Sequence, residues 1–141
     1  MKQAILLTGL TILALEAGFQ VAGVRPVATV VYGAIALMAA MIAGTFLWLW
    51  IERTTPLATG MVMSWAGMAA LAAGWWREML GDGTQPEAGG PVIFGVLALP
   101  IVGSILHFAV MQRSLGCHGP HFLWPPVAAL VVSGAVYGVV A

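Results

Sequence analysis

Apolar residues run along most of the chain and are interrupted at four places by charged, proline-rich or glycine-rich positions. These interruptions separate five apolar runs of about 20 residues or more. A helix of about 20 apolar residues spans the hydrocarbon core of a bilayer, and a backbone in lipid must satisfy its hydrogen bonds within the segment. The pattern therefore predicts an all-α, polytopic membrane bundle that forms one transmembrane domain over 1–141, with helices at 3–24, 27–51, 57–76, 91–112 and 122–141.

The first and the last of these runs differ from the other three. The first follows Lys2 as the apolar part of a signal peptide would, but Glu16 falls inside it, so we interpret the run as a retained helix. The last contains Pro125 and Pro126, which are typical of the first turn of a helix and leave only 127–141 beyond them. We therefore expect four full spans and a shorter fifth helix.

The composition requires lipid as the solvent. Of the 141 residues, 61% are hydrophobic and 7% are charged, whereas about a quarter of a soluble domain is charged. The net charge is zero and basic residues do not cluster, which excludes nucleic acid as a partner. The single cysteine excludes an internal disulfide framework. No catalytic triad, phosphate loop or pair of carboxylates stands out, so we expect neither an enzyme with catalytic residues nor a bound cofactor.

Basic residues define the membrane orientation only slightly. With five helices, Lys2, Arg53 and Arg113 fall on one side of the membrane, and Arg25 and Arg77 fall on the other. This small bias favours an amino terminus in the cytoplasm and is compatible with insertion in both orientations. We expect an integral protein of the bacterial inner membrane.

Glu16 is the most informative residue of the chain, because it lies a little past the middle of the first predicted helix. An ionisable group at that depth costs about 2.5–3.5 kcal/mol on insertion scales, so such groups usually face a bundle interior or a wet cavity. A carboxyl group there can exchange a proton for a cationic ligand. The alternative is a purely structural carboxyl group that is hydrogen-bonded to Gln20, one turn further on. We predict a substrate and proton site of Glu16 with Phe19 and Gln20.

Trp65 is the second candidate for that site. The other five tryptophans lie near predicted helix ends, where an interfacial aromatic belt explains them. Trp65 falls near the middle of the third helix, and an aromatic face at that depth suits a flat or cationic ligand. Plain packing between helices explains it equally well.

Small residues repeat at helical spacing in the third and fifth helices. Such stripes let two helix backbones approach closely in lipid, and they are mainly packing signals. The predicted packing positions are Gly60, Ser64, Gly67, Ala70 and Gly74 in the third helix, and Gly134 and Gly138 in the fifth.

A Cys-His-Gly-Pro-His turn joins the fourth and fifth predicted helices. Its Cys117, His118 and His121 are candidate ligands for zinc or copper, since thiolate and imidazole suit these metals. A fourth ligand is not evident, and an ordinary polar loop is the favoured interpretation, without a metal. A haem held by two histidines is disfavoured, because only His107 lies within a predicted span.

The arrangement resembles the small multidrug resistance family of the drug/metabolite transporter superfamily, over about residues 1–110. Members have a glutamate in the first helix and a tryptophan in the third, which correspond here to Glu16 in Leu-Glu-Ala-Gly and Trp65 in Ser-Trp-Ala-Gly. Residues 53–60 are similar to the Pro-x-x-x-Gly start of the family's third helix, and 91–95 to the start of its fourth. The resemblance implies an antiparallel, dual-topology homodimer whose membrane glutamates bind either protons or a cationic, often aromatic, substrate.

Two functional hypotheses follow. The first is a proton-coupled transporter that exports small cationic or aromatic compounds, with Glu16 as the coupling carboxyl group and Trp65 in the cavity wall. The second is a non-catalytic subunit of a larger respiratory or photosynthetic membrane complex, in which the small-residue stripes dock on partner helices. We favour the transporter, because a subunit needs no acidic residue within the membrane.

Overall fold

Five α-helices and one short 3-10 helix make up nearly all of the described chain, which covers residues 2–81, 90–114 and 119–140 of a computed structural model. No strand occurs within these ranges, so the prediction of an all-α fold is confirmed. A 3-10 helix at Pro120–Leu123 directly precedes the last α-helix. The α-helices are α1 (Lys2–Ala22), α2 (Val24–Arg53), α3 (Pro56–Leu80), α4 (Gly90–Ser114) and α5 (Trp124–Val140).

Helices α1 to α4 are each long and apolar enough to cross a bilayer. Helix α5 has 17 residues, and it is shorter because its prolines stand in the first turn, as the sequence predicts. The length and composition of these helices are those of an integral membrane protein whose surface contacts lipid.

The helix ends differ from the predicted ones at polar positions. Helix α2 begins at Val24 and contains Arg25 and Pro26 in its first turn, where a missing backbone N–H does no harm. The break before it is at Gly23, whose φ of 83° and ψ of 177° suit glycine alone. Helix α3 continues to Leu80, past Arg77 and Glu78. Charged residues therefore lie within the ends of α2 and α3 and do not terminate these helices.

Helices α2, α3 and α4 form the packed centre of the molecule, with α3 between the other two. Every buried residue in the described ranges is glycine or alanine. Helices in lipid associate through close backbone approach, which small residues permit. The buried residues are Gly33, Ala36, Ala39 and Ala43 of α2, Ala58, Gly60, Gly67 and Ala72 of α3, and Gly103 of α4.

Helices α1 and α5 lie at the periphery. In the described part of the chain α1 contacts only α2, and α5 contacts only α4 and the 3-10 helix. From residue 3 to residue 22 every side chain except Gly18 is exposed. A single copy of the chain therefore leaves its first membrane helix almost uncovered.

Candidate functional site

Glu16 lines a groove between α1 and the first half of α2. The groove has a volume of about 440 Å³ and is open to the surroundings of the chain. The Gln20 Nε2 donates a hydrogen bond of 2.8 Å to Oε1 of Glu16. The Glu16 carboxyl group is thus hydrogen-bonded to Gln20 and also faces the open groove.

The walls of this groove, which we call the Glu16 groove, are apolar and partly aromatic. Phe19 from α1 and Tyr32 from α2 supply the aromatic rings. The other lining side chains, apart from Glu16, are aliphatic. Among the lining residues that the structure describes, Glu16 is the only one with a carboxylate. The full lining is Ile12, Leu15, Glu16, Phe19, Val24, Val27, Ala28, Val31 and Tyr32.

The two helices that form the Glu16 groove contact each other near the turn that joins them. Gly23 is the single residue between α1 and α2, and its N–H donates a 2.9 Å hydrogen bond to the Phe19 carbonyl. At Gly18 an added Cβ would lie 3.3 Å from the Val27 Cγ2, so the helices touch there. An added Cβ at Gly9, further along α1, would meet nothing within 4 Å.

Tyr32 connects the groove to α3. Its ring stacks on that of Trp75, with 6.3 Å between the ring centroids and 24° between the ring planes. The sequence interpretation assigned Trp75 to the interfacial belt and did not single out Tyr32. The signal available in the sequence was a tyrosine, an aromatic side chain with a polar group, within the apolar run of α2.

Trp65 does not share the Glu16 groove within one chain. It is half-buried on α3. In the described ranges, no Cα atom of α1 comes within 8 Å of a Cα atom of α3. The predicted cavity of Glu16 and Trp65 is therefore not formed inside a single copy, because α1 lies beside α2 and away from α3.

Part of the predicted small-residue stripe of α3 faces α4. An added Cβ at Gly60 would lie 3.1 Å from the Gly103 carbonyl oxygen, and one at Gly67 would lie 3.0 Å from the Pro100 nitrogen. Ser64 stands directly against Gly103. These three positions of α3 bring the two helix backbones together.

The remaining stripe positions have different surroundings. Ala70 is half-buried, and Gly74 is exposed. Added Cβ atoms at Gly74, Gly134 and Gly138 would meet nothing within 4 Å among the described residues. Among the described residues, the Gly134–Gly138 step therefore packs against no other helix.

The candidate metal ligands do not form a described cluster. Cys117 and His118 lie outside the described residues, and His121 is exposed in the 3-10 helix. Among the residues that the structure describes, no three His, Cys, Asp or Glu side chains are placed to hold an ion. His107 lies at the α3–α4 contact, where its backbone nitrogen approaches Gly60.

No protein-family model matches this chain, and neither the curated proteins nor the solved structures include a significant match to it. The resemblance to the small multidrug resistance family stays a prediction.

Proposed function

We propose that this chain is a proton-coupled transporter that exports small cationic or aromatic compounds across the bacterial inner membrane. Glu16 is the residue that binds either the proton or the cation. The observation that carries the proposal is a membrane carboxyl group lining an open groove of about 440 Å³ between two membrane-spanning helices. That volume falls within the range of about 300–1,000 Å³ that is typical of small-molecule sites.

The hydrogen bonding of Glu16 supports a cationic guest. Gln20 donates to Oε1, and Oε2 has no hydrogen-bond partner among the described residues. A carboxylate in an apolar surrounding is stabilised by an opposite charge or by protonation. Glu16 can therefore take either of two partners in this groove, a proton or a cationic guest.

The aromatic lining supports guests with a delocalised or ring-borne charge. Phe19 and Tyr32 lie in the same groove as the carboxyl group. A cation over an aromatic face gains about 0.5–2 kcal/mol, and more as water is excluded. The combination of one carboxylate with two rings selects small organic cations over hydrated inorganic ones.

Assembly of two copies follows from the exposure of α1. An acidic residue on a helix that faces lipid is costly, and α1 is covered on one side only. A second copy that covers α1 would close the Glu16 groove from lipid. Such an assembly of two copies would also allow Trp65 of one copy to approach Glu16 of the other.

Direct binding tests this proposal. The purified full chain in phosphatidylcholine nanodiscs should bind tetraphenylphosphonium and release protons into a weakly buffered solution. Glu16→Gln should abolish both signals, because the amide cannot carry the charge. Glu52→Gln, at the exposed end of α2, is the matched control and should leave both unchanged. Binding that persists in Glu16→Gln would exclude the proposal.

A second candidate, a non-catalytic subunit of a larger membrane complex, is favoured by one observation. Helix α1 is covered on one side only, and added Cβ atoms at the α5 glycines would meet nothing within 4 Å among the described residues, so two helices offer surfaces for foreign chains. Gentle extraction from native membrane separates the two functions. A homo-oligomer favours the transporter, and stoichiometric foreign subunits favour the complex.

A further inference from the structure

We infer that Trp75 is a positioning residue that sets the preference of the Glu16 groove for aromatic guests, and that it acts through Tyr32. The inference rests on the proposed function, because it concerns the selectivity of the same groove. It gives Trp75 a role that a position near a helix end does not imply.

Tyr32 belongs to two environments at once. It lines the Glu16 groove, and its ring stacks on Trp75 of α3. The separation of 6.3 Å and the angle of 24° describe an offset stacked pair, which is a preferred arrangement of aromatic rings. The orientation of one wall of the groove is therefore coupled to a residue outside it.

The backbone next to Tyr32 and Trp75 holds this pair in place. An added Cβ at Gly33 would lie 2.7 Å from the Cε2 of Trp76, so the Trp76 ring lies directly on the α2 backbone beside Tyr32. Because Trp76 is adjacent to Trp75 in the chain, this contact fixes the register of α3 at the level of Tyr32. The Trp75 side chain is 52% exposed. Its stacking on Tyr32 is nevertheless held in place by the neighbouring contact between Trp76 of α3 and Gly33 of α2.

A ring held in one orientation favours guests that carry aromatic rings. Preorganising a binding wall reduces the entropy lost when a guest binds. An aromatic cation gains from a correctly oriented ring by stacking, whereas an alkyl cation gains mainly from the Glu16 charge and from general apolar contact. Loss of Trp75 should therefore lower the affinity for aromatic cations more than that for alkyl cations.

The experiment compares two probes of equal charge on the full chain in phosphatidylcholine nanodiscs, tetraphenylphosphonium and tetrabutylammonium. Trp75→Leu should lower the ratio of their affinities by about 2- to 10-fold, the range expected from an aromatic pair. Trp75→Phe keeps a ring at the position and should retain most of the ratio. Trp48→Leu is the control, since Trp48 is 65% exposed in the second half of α2, and it should leave the ratio unchanged.

A double variant tests whether Trp75 acts through Tyr32. In a Tyr32→Leu background, Trp75→Leu should cause no further change in the ratio, because the ring that it orients is absent. An independent, additive effect would overturn the inference. So would an unchanged ratio in Trp75→Leu, or an equal loss for both probes, while the wild type binds in a Glu16-dependent way. A wild-type chain that binds neither probe would overturn the proposed function, and this inference with it.

Discussion

Arg25, in the first turn of α2, donates a hydrogen bond from its guanidinium group to the carbonyl oxygen of Gly81, which directly follows α3. The same side chain donates to the Met79 carbonyl at 3.4 Å. Carbonyl groups at the end of a helix have no partner within it, and a cation there interacts favourably with the helix dipole. The contact places the start of α2 and the end of α3 on one side of the membrane, as the positions of Arg25 and Arg77 predict.

Removal of this contact should destabilise the α2–α3 pair. We expect Arg25→Ala to lower the free energy of unfolding by about 1 kcal/mol, since an exposed charged hydrogen bond and a helix-terminal charge are lost together. Arg25→Lys keeps the charge but loses the forked donor, and it should cost less. Titration with dodecyl sulfate, followed by circular dichroism, measures both. Equal stability of Arg25→Ala and the wild type would show that the contact contributes nothing.

Two glycines of α3 should respond in opposite ways to an added methyl group. At Gly67 an added Cβ would lie 3.0 Å from the Pro100 nitrogen, so Gly67→Ala should force the helices apart and cost about 1–3 kcal/mol. At Gly74 the space is open, so Gly74→Ala should be neutral or slightly stabilising, because alanine is the better helix former. The same unfolding titration compares the two variants, and similar losses for both would contradict the α3–α4 packing.

The Gly23 link should tolerate no side chain. Its φ of 83° with ψ of 177° is strained for any residue with a Cβ, and a residue forced into such a region costs about 1–3 kcal/mol. Gly23→Ala should therefore destabilise the chain or change the angle between α1 and α2. Gly9→Ala, where nothing lies within 4 Å, is the control in the same helix pair. A spin-label distance between α1 and α2 that is identical in both variants, with equal stability, would contradict this role.

The proposed exchange at Glu16 predicts the direction of a pH effect. Protonation removes the negative charge that attracts the guest, so the affinity for tetraphenylphosphonium should fall as the pH falls. Tyr32 is the other titratable side chain among the described groove residues. Isothermal titration calorimetry at several pH values measures the trend in the wild type. An affinity that is independent of pH would contradict proton coupling and leave simple cation binding.

The small-residue stripe of α3 predicts only part of the contact between α3 and α4. The spacing of Gly60, Ser64 and Gly67 predicts a face suited to close packing, and the structure has α4 on that face. The same spacing includes Gly74, which is exposed. A stripe defines one face of one helix, but the neighbouring helix covers only the part that its own path reaches.

The class of fold follows from local properties. The length and apolarity of each run decide whether it can be a membrane helix, because a backbone in lipid must satisfy its own hydrogen bonds. For that reason the helical membrane fold and the shorter α5 could be predicted without any knowledge of contacts between helices. The depth of Glu16 within its helix could be predicted in the same way, together with Gln20 one turn away.

The neighbours of Glu16 across the groove could not be predicted in this way. Tyr32 lines the groove while Trp65 does not, and Trp75 belongs with Tyr32 and not merely with the interfacial belt. These relations depend on the rotation and register of whole helices. Close contacts between glycine and alanine backbones set both quantities, and such contacts involve residues far apart in the chain that share no local pattern.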